Sequence, residues 1–287
     1  MVKMATNKKR SLFLVGLIAA ALLPVLLAWP IGCGSGDASK KTLVIAATFD
    51  LEESGIIDAW MKDFRGQSGF QLQLQKASDQ DILIMAMHGE CDVLITHLPD
   101  PEQDLQKSNY IQGRQEIMHD DYVILGPPGD PGGIKGSESA ADAFKKIGTD
   151  KTRFVLRNDA SGTSYKETDL WQLSGIEDFG DWMTETDSGM ADALRLASEK
   201  GAYTFSDRST FEKLSGKLNL EVVFEDSKAL VNTYSVMEVS QLPYPDSNLQ
   251  GGQKLADYLA SAKAQRHFNL GAWEPPSQPD ESAQQQQ

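Results

Sequence analysis

The chain has 287 residues, 27 Lys+Arg against 41 Asp+Glu, a formal charge of −14 and 40% hydrophobic residues. An acid excess of this size lacks the clustered cations that face phosphates, which excludes a nucleic-acid footprint. The apolar content excludes whole-chain disorder, two cysteines (Cys33 and Cys91) exclude a disulfide scaffold, and the length fits two lobes.

The acidity is uneven. Residues 1–32 hold four cations (Lys3, Lys8, Lys9, Arg10) and no acid, so without them the charge is −18. The cations precede an apolar run from Leu12 to Trp29, broken by Gly16 and Pro24, and then Gly32-Cys33-Gly34-Ser35-Gly36-Asp37. This is the order of a bacterial export signal. Residues 1–32 therefore read as a signal peptide and 33–41 as a linker. Cys33, opening a Gly/Ser/Asp/Lys stretch, resembles the lipid-acceptor cysteine of a bacterial lipoprotein. Plain secretion with Cys33 unused is the other reading, and an apolar run of ~18–20 residues also suffices as a membrane anchor. Each places the domain outside the cytoplasm, in the periplasm or on the cell surface. Cys91, alone in a strand-like run, reads as a buried structural thiol.

Thr42 to Thr48 is a continuous apolar run, suited to a strand buried on both faces of a parallel sheet. Ser54 stands before a helical repeat that Gly55 to Phe64 carries and Gly66 stops. Phe70 to Leu74 alternates as a strand, Asp79 to Met87 reads as helix, and Asp92 to Thr96 as a short buried strand. Tyr122 to Leu125 predicts a strand running out through Gly126-Pro127-Pro128 into a crossing. The rhythm then repeats: helix near Ala140–Ile147, strand Arg153–Arg157, helix from Thr163, helix Met190–Glu199, strands Tyr203–Phe205 and Glu221–Phe224. Val231 to Val239 is a β-rich stretch able to carry the chain back to the first lobe, and closing helices fall at Gly252–Ala262 and Gln265–Leu270. The fold class is α/β, two lobes, each a mostly parallel sheet flanked by helices. The expected divisions are 42–126 for the first part of lobe one, 127–229 for lobe two, 230–273 for the return and 274–287 for a Pro/Ser/Gln-rich disordered tail.

Ligands of open α/β sheets sit beyond the carboxyl ends of strands, at helix N-termini whose free N–H groups attract anions. Two strand-to-helix junctions qualify: Thr48-Phe49-Asp50 to Ser54-Gly55, and Arg157-Asn158-Asp159-Ala160-Ser161-Gly162-Thr163-Ser164. The second brings hydroxyls, a glycine and a cationic fork, a sensible oxyanion cradle. It also reads as an ordinary cap, in which Asp159 or Ser161 caps the helix and Arg157 makes a salt bridge.

Enzyme signatures are missing: no Gly-x-Ser-x-Gly elbow, His-Glu-x-x-His, Walker loop or dinucleotide fingerprint. No catalytic residue, cofactor or metal site is predicted. Of the four histidines, His88, His97, His119 and His267, His97 ends a strand and so is able to face a cleft, with a structural role favoured; His119-Asp120-Asp121 alternates faces and suits one ion poorly. Trp171 and Trp182 read as core anchors.

Several stretches in register resemble the tungstate-binding proteins of ABC importers. They are Gly89 to His97, Arg114 with Met118 to Pro127, Arg157 to Thr163, Lys166-Glu167 with Leu170-Trp171, Gly189-Met190, Ala202 to Arg208, and Leu230 to Tyr234, together spanning nearly all of Lys41–Trp273. The resemblance implies a class II periplasmic-type solute-binding protein, two α/β lobes joined by crossing strands and closing on tungstate or molybdate. It carries Arg114, Arg157, Ser161, Gly162 and Thr163 over as ligand residues, and an ABC permease as partner of a monomer.

The sequence departs from that family at the cradles. Thr-Thr-Thr-Ser is Ala47-Thr48-Phe49-Asp50, of which Thr48 matches; Gly-Thr-Gly is Ser78-Asp79-Gln80; and the Ser before the third cradle's Arg is Leu156. Each lost hydroxyl removes a hydrogen bond to a charged ligand worth ~1.5–3 kcal/mol. The candidate ligand residues are thus Thr48, Asp50, Ser54, Ser78, Arg114, Arg157, Ser161, Gly162 and Thr163. The function read from them is oxyanion binding for an ABC importer; the alternative is a binding or sensor lipoprotein of the same fold that has lost oxyanion affinity and takes another small polar ligand.

Overall fold

The computed structural model describes residues 42–268 and 273–276. The expected signal peptide, Cys33 with its linker, part of the last helix and most of the tail lie outside these residues. Among the described residues the strands form one continuous nine-stranded sheet, and no helix is long and apolar enough to cross a membrane.

The apolar run Thr42–Thr48 is strand β1, with Leu43 and Ile45 to Ala47 wholly buried. It lies between the parallel strands β2 (Gln71–Ala77) and β3 (Val93–Thr96). β3 is buried throughout, whereas β2 is the sheet edge and alternates, with Gln71 and Gln73 exposed. Helices α1 (Phe49–Ser54) and α2 (Ile56–Ser68) follow β1, separated at Gly55, whose φ of 83° no L side chain adopts readily. Gly66 does not stop α2; the helix continues to Ser68 and ends at Gly69, φ 73°. Helix α3 (Asp79–His88) starts behind a Ser78 cap, and α4 (Pro99–Lys107), which the apolar pattern does not announce, follows β3.

The strand expected at Tyr122 begins eleven residues earlier, as β4 (Ile111–Gly126). The second half of the fold follows in chain order: α5 (Ala140–Thr149), β5 (Phe154–Arg157), α6 (Gly162–Ser174), β6 (Met183–Thr186), α7 (Met190–Lys200), β7 (Tyr203–Asp207), α8 (Arg208–Leu214), β8 (Glu221–Glu225) and β9 (Val231–Val239). Between Ile111 and Asp121, β4 pairs antiparallel with β9, which in turn pairs with β3; between Tyr122 and Gly126 it pairs with β7 and β8. The partners of β4 therefore change at Asp121/Tyr122, inside a strand and ahead of Gly126. β5 is parallel to β6 and β7, so each lobe keeps a parallel core, but β8 pairs antiparallel and the whole sheet is mixed.

Each lobe has apolar side chains on both sheet faces. In the first, Trp60, Met61 and Phe64 of α2 pack with Leu43, Ile45 and the closing helices α9 (Leu249–Leu259) and α10 (Ala262–Gln265), while Ile82 and Ala86 of α3 cover the other face. Trp60 Nε1 donates to Ala264 O at 3.1 Å, which ties the end of the chain to the first lobe. In the second lobe Trp171 meets Phe144 and Phe154 edge-on, the anchor expected of it, and half-buried Trp182 packs alongside. Cys91 is buried in the first lobe, and burial pushes its thiol up to about 12, so it is an inert apolar filler.

Candidate functional site

The residues after β1, β2, β3 and β5 meet in the cleft between the lobes. Asp79, first residue of α3, is wholly buried. Its Oδ2 accepts the Gly162 N–H at 2.9 Å and the Thr48 hydroxyl at 3.0 Å, and lies 3.0 Å from His97 Nε2; its Oδ1 accepts the His97 backbone N–H at 3.1 Å. Gly162 opens α6 and belongs to the other lobe. Beside it, Gln80 N–H donates to Ala160 O at 3.3 Å. A Cβ on Gly162 would lie 2.7 Å from the His97 ring, so only glycine lets the helix start against that imidazole.

His97 has no exposed side-chain surface. Nε2 also lies 3.3 Å from Asp50 Oδ2, Nδ1 is 2.8 Å from Asn232 Oδ1 and 3.3 Å from the Tyr122 hydroxyl, and the ring stacks on Tyr234 at 4.5 Å. Burial alone disfavours the imidazolium, but the Asp79 carboxylate and the other facing groups outweigh it and hold the pKa well above 6.5.

Arg157 ends β5. Its Nε donates to Asp159 Oδ2 at 2.8 Å, Nη2 bonds the same oxygen and lies 3.5 Å from Asp50 Oδ1, and Nη1 is buried without a partner. Burial pushes the Asp50 carboxyl up, but Arg157 and then His97 prevail and hold it at about 2. Ser161 accepts Ser164 N–H at 3.2 Å and donates to Asp159 Oδ1 at 2.6 Å. The cap reading of the Arg157–Ser164 turn is realised: Ser161 caps α6 and Arg157 pairs with Asp159, while both side chains line the cleft.

The Asp79–His97 contact divides the cleft. One cavity, about 320 Å³, is lined by Thr48, Asp50, Glu53, Ser78, Arg157 and Ser161 among others; a second, about 340 Å³, lies across His97 and Gly162 toward Tyr122, Tyr165 and Asn232. Of the predicted ligand residues, Thr48, Asp50, Ser78, Arg157, Ser161 and Gly162 come together. Ser54 does not: its hydroxyl donates to Leu51 O and accepts Ile56 N–H, finishing α1. Thr163 is buried behind the turn with its hydroxyl unpartnered. Arg114 lines neither cavity, because its Nε donates at 2.9 Å to Glu102, a buried carboxylate that also accepts the Thr96 hydroxyl and Leu98 N–H. The sequence signal for His97 was its place at a strand's carboxyl end; for Asp79, its place at the first turn of a helix. Asn232 and Tyr122 carry no local signal. Among the described residues no group of three or more His, Cys, Asp or Glu is placed to hold a metal ion.

Two α/β lobes joined by β4 and β9, with helix N-termini and a buried guanidinium facing the cleft, define a solute-binding architecture. The chain belongs to the PBP superfamily, whose domain description matches residues 35–263. It is 34% identical over 239 residues to a Haloferax volcanii protein assigned as an ABC transporter anion-binding protein, covering 82% of this chain and 70% of that one. It is 31% identical over 229 residues to the tungstate-binding protein TupA of Peptoclostridium acidaminophilum, covering 79% and 80%. The solved structure of the tungstate-binding protein TupA from Desulfovibrio alaskensis G20 superposes with a TM-score of 0.70 at 29% identity, covering 83% of this chain and 99% of that one. The expected α/β two-lobed fold is that of these relatives, with the mixed sheet in place of a mostly parallel one.

Two outcomes follow from the geometry. A histidine whose folded pKa exceeds the unfolded 6.5 binds more protons when folded, so its stabilisation is complete below pH 6.5 and is lost as pH rises through the folded value. Urea unfolding at pH 6 and pH 9 should show a larger loss of stability in the wild type than in His97→Gln; equal losses would remove the imidazolium from the site. Arg114→Met leaves Glu102 buried without its cation and should cost about 3 kcal/mol in the same assay.

Proposed function

We propose that the protein is the extracytoplasmic solute-binding component of an ABC importer and that it takes a small oxyanion of the tungstate or molybdate kind between its lobes. The observation that carries this is the convergence of the Gly162 N–H, the Thr48 hydroxyl and the buried His97 on the Asp79 carboxylate spanning the cleft, with the buried Arg157 guanidinium close by on Asp50. Neutral donors and fixed cations aimed at one point are what anion recognition requires. Relatives that bind tungstate support the same ligand class.

On this reading capture is binding without chemistry. Closure of the lobes desolvates the anion and presents a closed surface to a membrane permease. The export-type N-terminus supports a place in the periplasm or on the cell surface, held by lipid on Cys33, and the monomeric state is taken from the family resemblance alone. The alternative of a same-fold module without oxyanion affinity finds no support among the relatives.

The experiment is a thermal-shift panel of tungstate, molybdate, sulfate and phosphate taken into the millimolar range. At 100-fold above Kd, a bound anion stabilises by ~2.7 kcal/mol. Tungstate or molybdate should raise Tm most, and no shift with any anion overturns the reading.

A further inference from the structure

The Asp79 carboxylate is bonded as a free oxyanion would be. It takes two backbone N–H groups, one of them opening the 13-residue helix α6, together with a hydroxyl; a buried ring nitrogen stands 3.0 Å away as its charge partner, and it has no exposed surface. It reaches this place from the first lobe, so it also joins the lobes. A second carboxylate repeats the arrangement: Glu53 of α1 accepts Ala191 N–H at 3.2 Å in the first turn of α7, and its Oε1 lies close against Gly189. Lys213 of α8 donates to Glu53 O at 2.6 Å and to Ser54 O at 3.2 Å, adding a further link between the halves.

Thr48 and Gly162 are therefore already engaged by a group of the protein's own. A free anion set against the same donors would share them with Asp79 at hydrogen-bond range. Like charges ~4 Å apart at an effective dielectric near 20 cost about a thousandfold in affinity for each unit charge pair. A tethered carboxylate also competes at the effective concentration its short backbone link confers, in the millimolar range or above.

We propose that Asp79 is a built-in stand-in for the oxyanion: it fills the anion position at the start of α6, holds the lobes together through Gly162, and yields that position only to an anion that displaces it. This rests on the oxyanion reading above and makes Asp79 the residue that sets affinity. Selectivity follows, because an incoming anion must bond the freed donors better than a carboxylate does, which favours a dianion with more oxygens over monovalent competitors.

The test compares wild type, Asp79→Ser and the near-isosteric Asp79→Asn, each checked for a cooperative thermal transition. Calorimetric titration with tungstate and molybdate is run beside small-angle scattering of the ligand-free proteins. Asp79→Ser should bind tungstate at least tenfold tighter than wild type, with Asp79→Asn also gaining. Its ligand-free radius of gyration should exceed that of the wild type and return on adding tungstate. Wild-type binding with no gain in either variant overturns the proposal and leaves the oxyanion reading standing. Absence of binding in all three proteins overturns that reading instead, and scattering then decides the role of Asp79: an expanded Asp79→Ser supports it as the closing contact, and a variant as compact as wild type overturns it.

Discussion

Burying His97 and Arg157 in the cleft is the constraint on which the two-lobed structure turns. Taking a cation out of water costs several kcal/mol unless partners replace the solvent. Here the replacement is shared between lobes. The first supplies Asp50, Asp79 and the imidazole itself, and the second supplies the guanidinium, Asp159 and the Gly162 N–H. Neither half completes its charges alone: without the second lobe, Asp79 loses Gly162 and Asp50 loses Arg157; without the first, Arg157 keeps Asp159 alone. Approach of the lobes is thus written into the electrostatics as well as into the connecting strands.

Those strands reach the same point from behind. Asn232 and Tyr234 lie on β9, Tyr122 on β4 at the place where that strand leaves one half of the sheet for the other, and all three touch the His97 ring. Any rotation about the crossing strands must therefore move the imidazole's neighbours, and any change at Nε2 is felt through a rigid ring at Nδ1. The Asp120 and Asp207 carboxyls beside the crossing are pushed up by burial, Asp120 by Asp207 as well and Asp207 by Asp50.

Strands such as Thr42–Thr48 and Val231–Val239 were legible because buried strands are apolar without interruption, and α2, α3, α5 and α7 because their apolar residues recur at helical spacing. Polar or short elements were not: α4 starts at Pro99 and reads as a turn, β6 is Met-Thr-Glu-Thr, and α1 and α8 are under two turns long. At the site, Arg157 and the Ser161 turn were legible because their chemistry is local. Asp79 was visible as a departure from the tungstate-binding pattern, but its role was not, since its partner Gly162 lies 83 residues away and its approach to His97 depends on β1 and β3 being neighbours. Arg114, carried over by resemblance, is held by Glu102, a carboxylate in a helix the apolar pattern does not reveal.

Charge at long range and charge at the site pull in opposite directions. The chain carries −14, or −18 without residues 1–32, and the cleft adds Asp50, Glu52, Glu53, Asp159 and Asp187 along one cavity wall against Arg157. An oxyanion is repelled on approach, although screening over ~8 Å at physiological salt confines that repulsion to the last few ångströms. What meets it there is a cluster whose two cations already face three carboxylates. Inserting a dianion without removing anything would leave that enclosed volume strongly negative, which burial does not tolerate. Entry is electrostatically reasonable only as an exchange, in which one carboxylate moves out to water as the anion moves in. Of the three, Asp50 faces both cations and Asp159 is tied to the guanidinium and the α6 cap; Asp79 holds the backbone N–H that opens α6, so on the proposed reading it is the group whose departure frees the position an oxyanion needs.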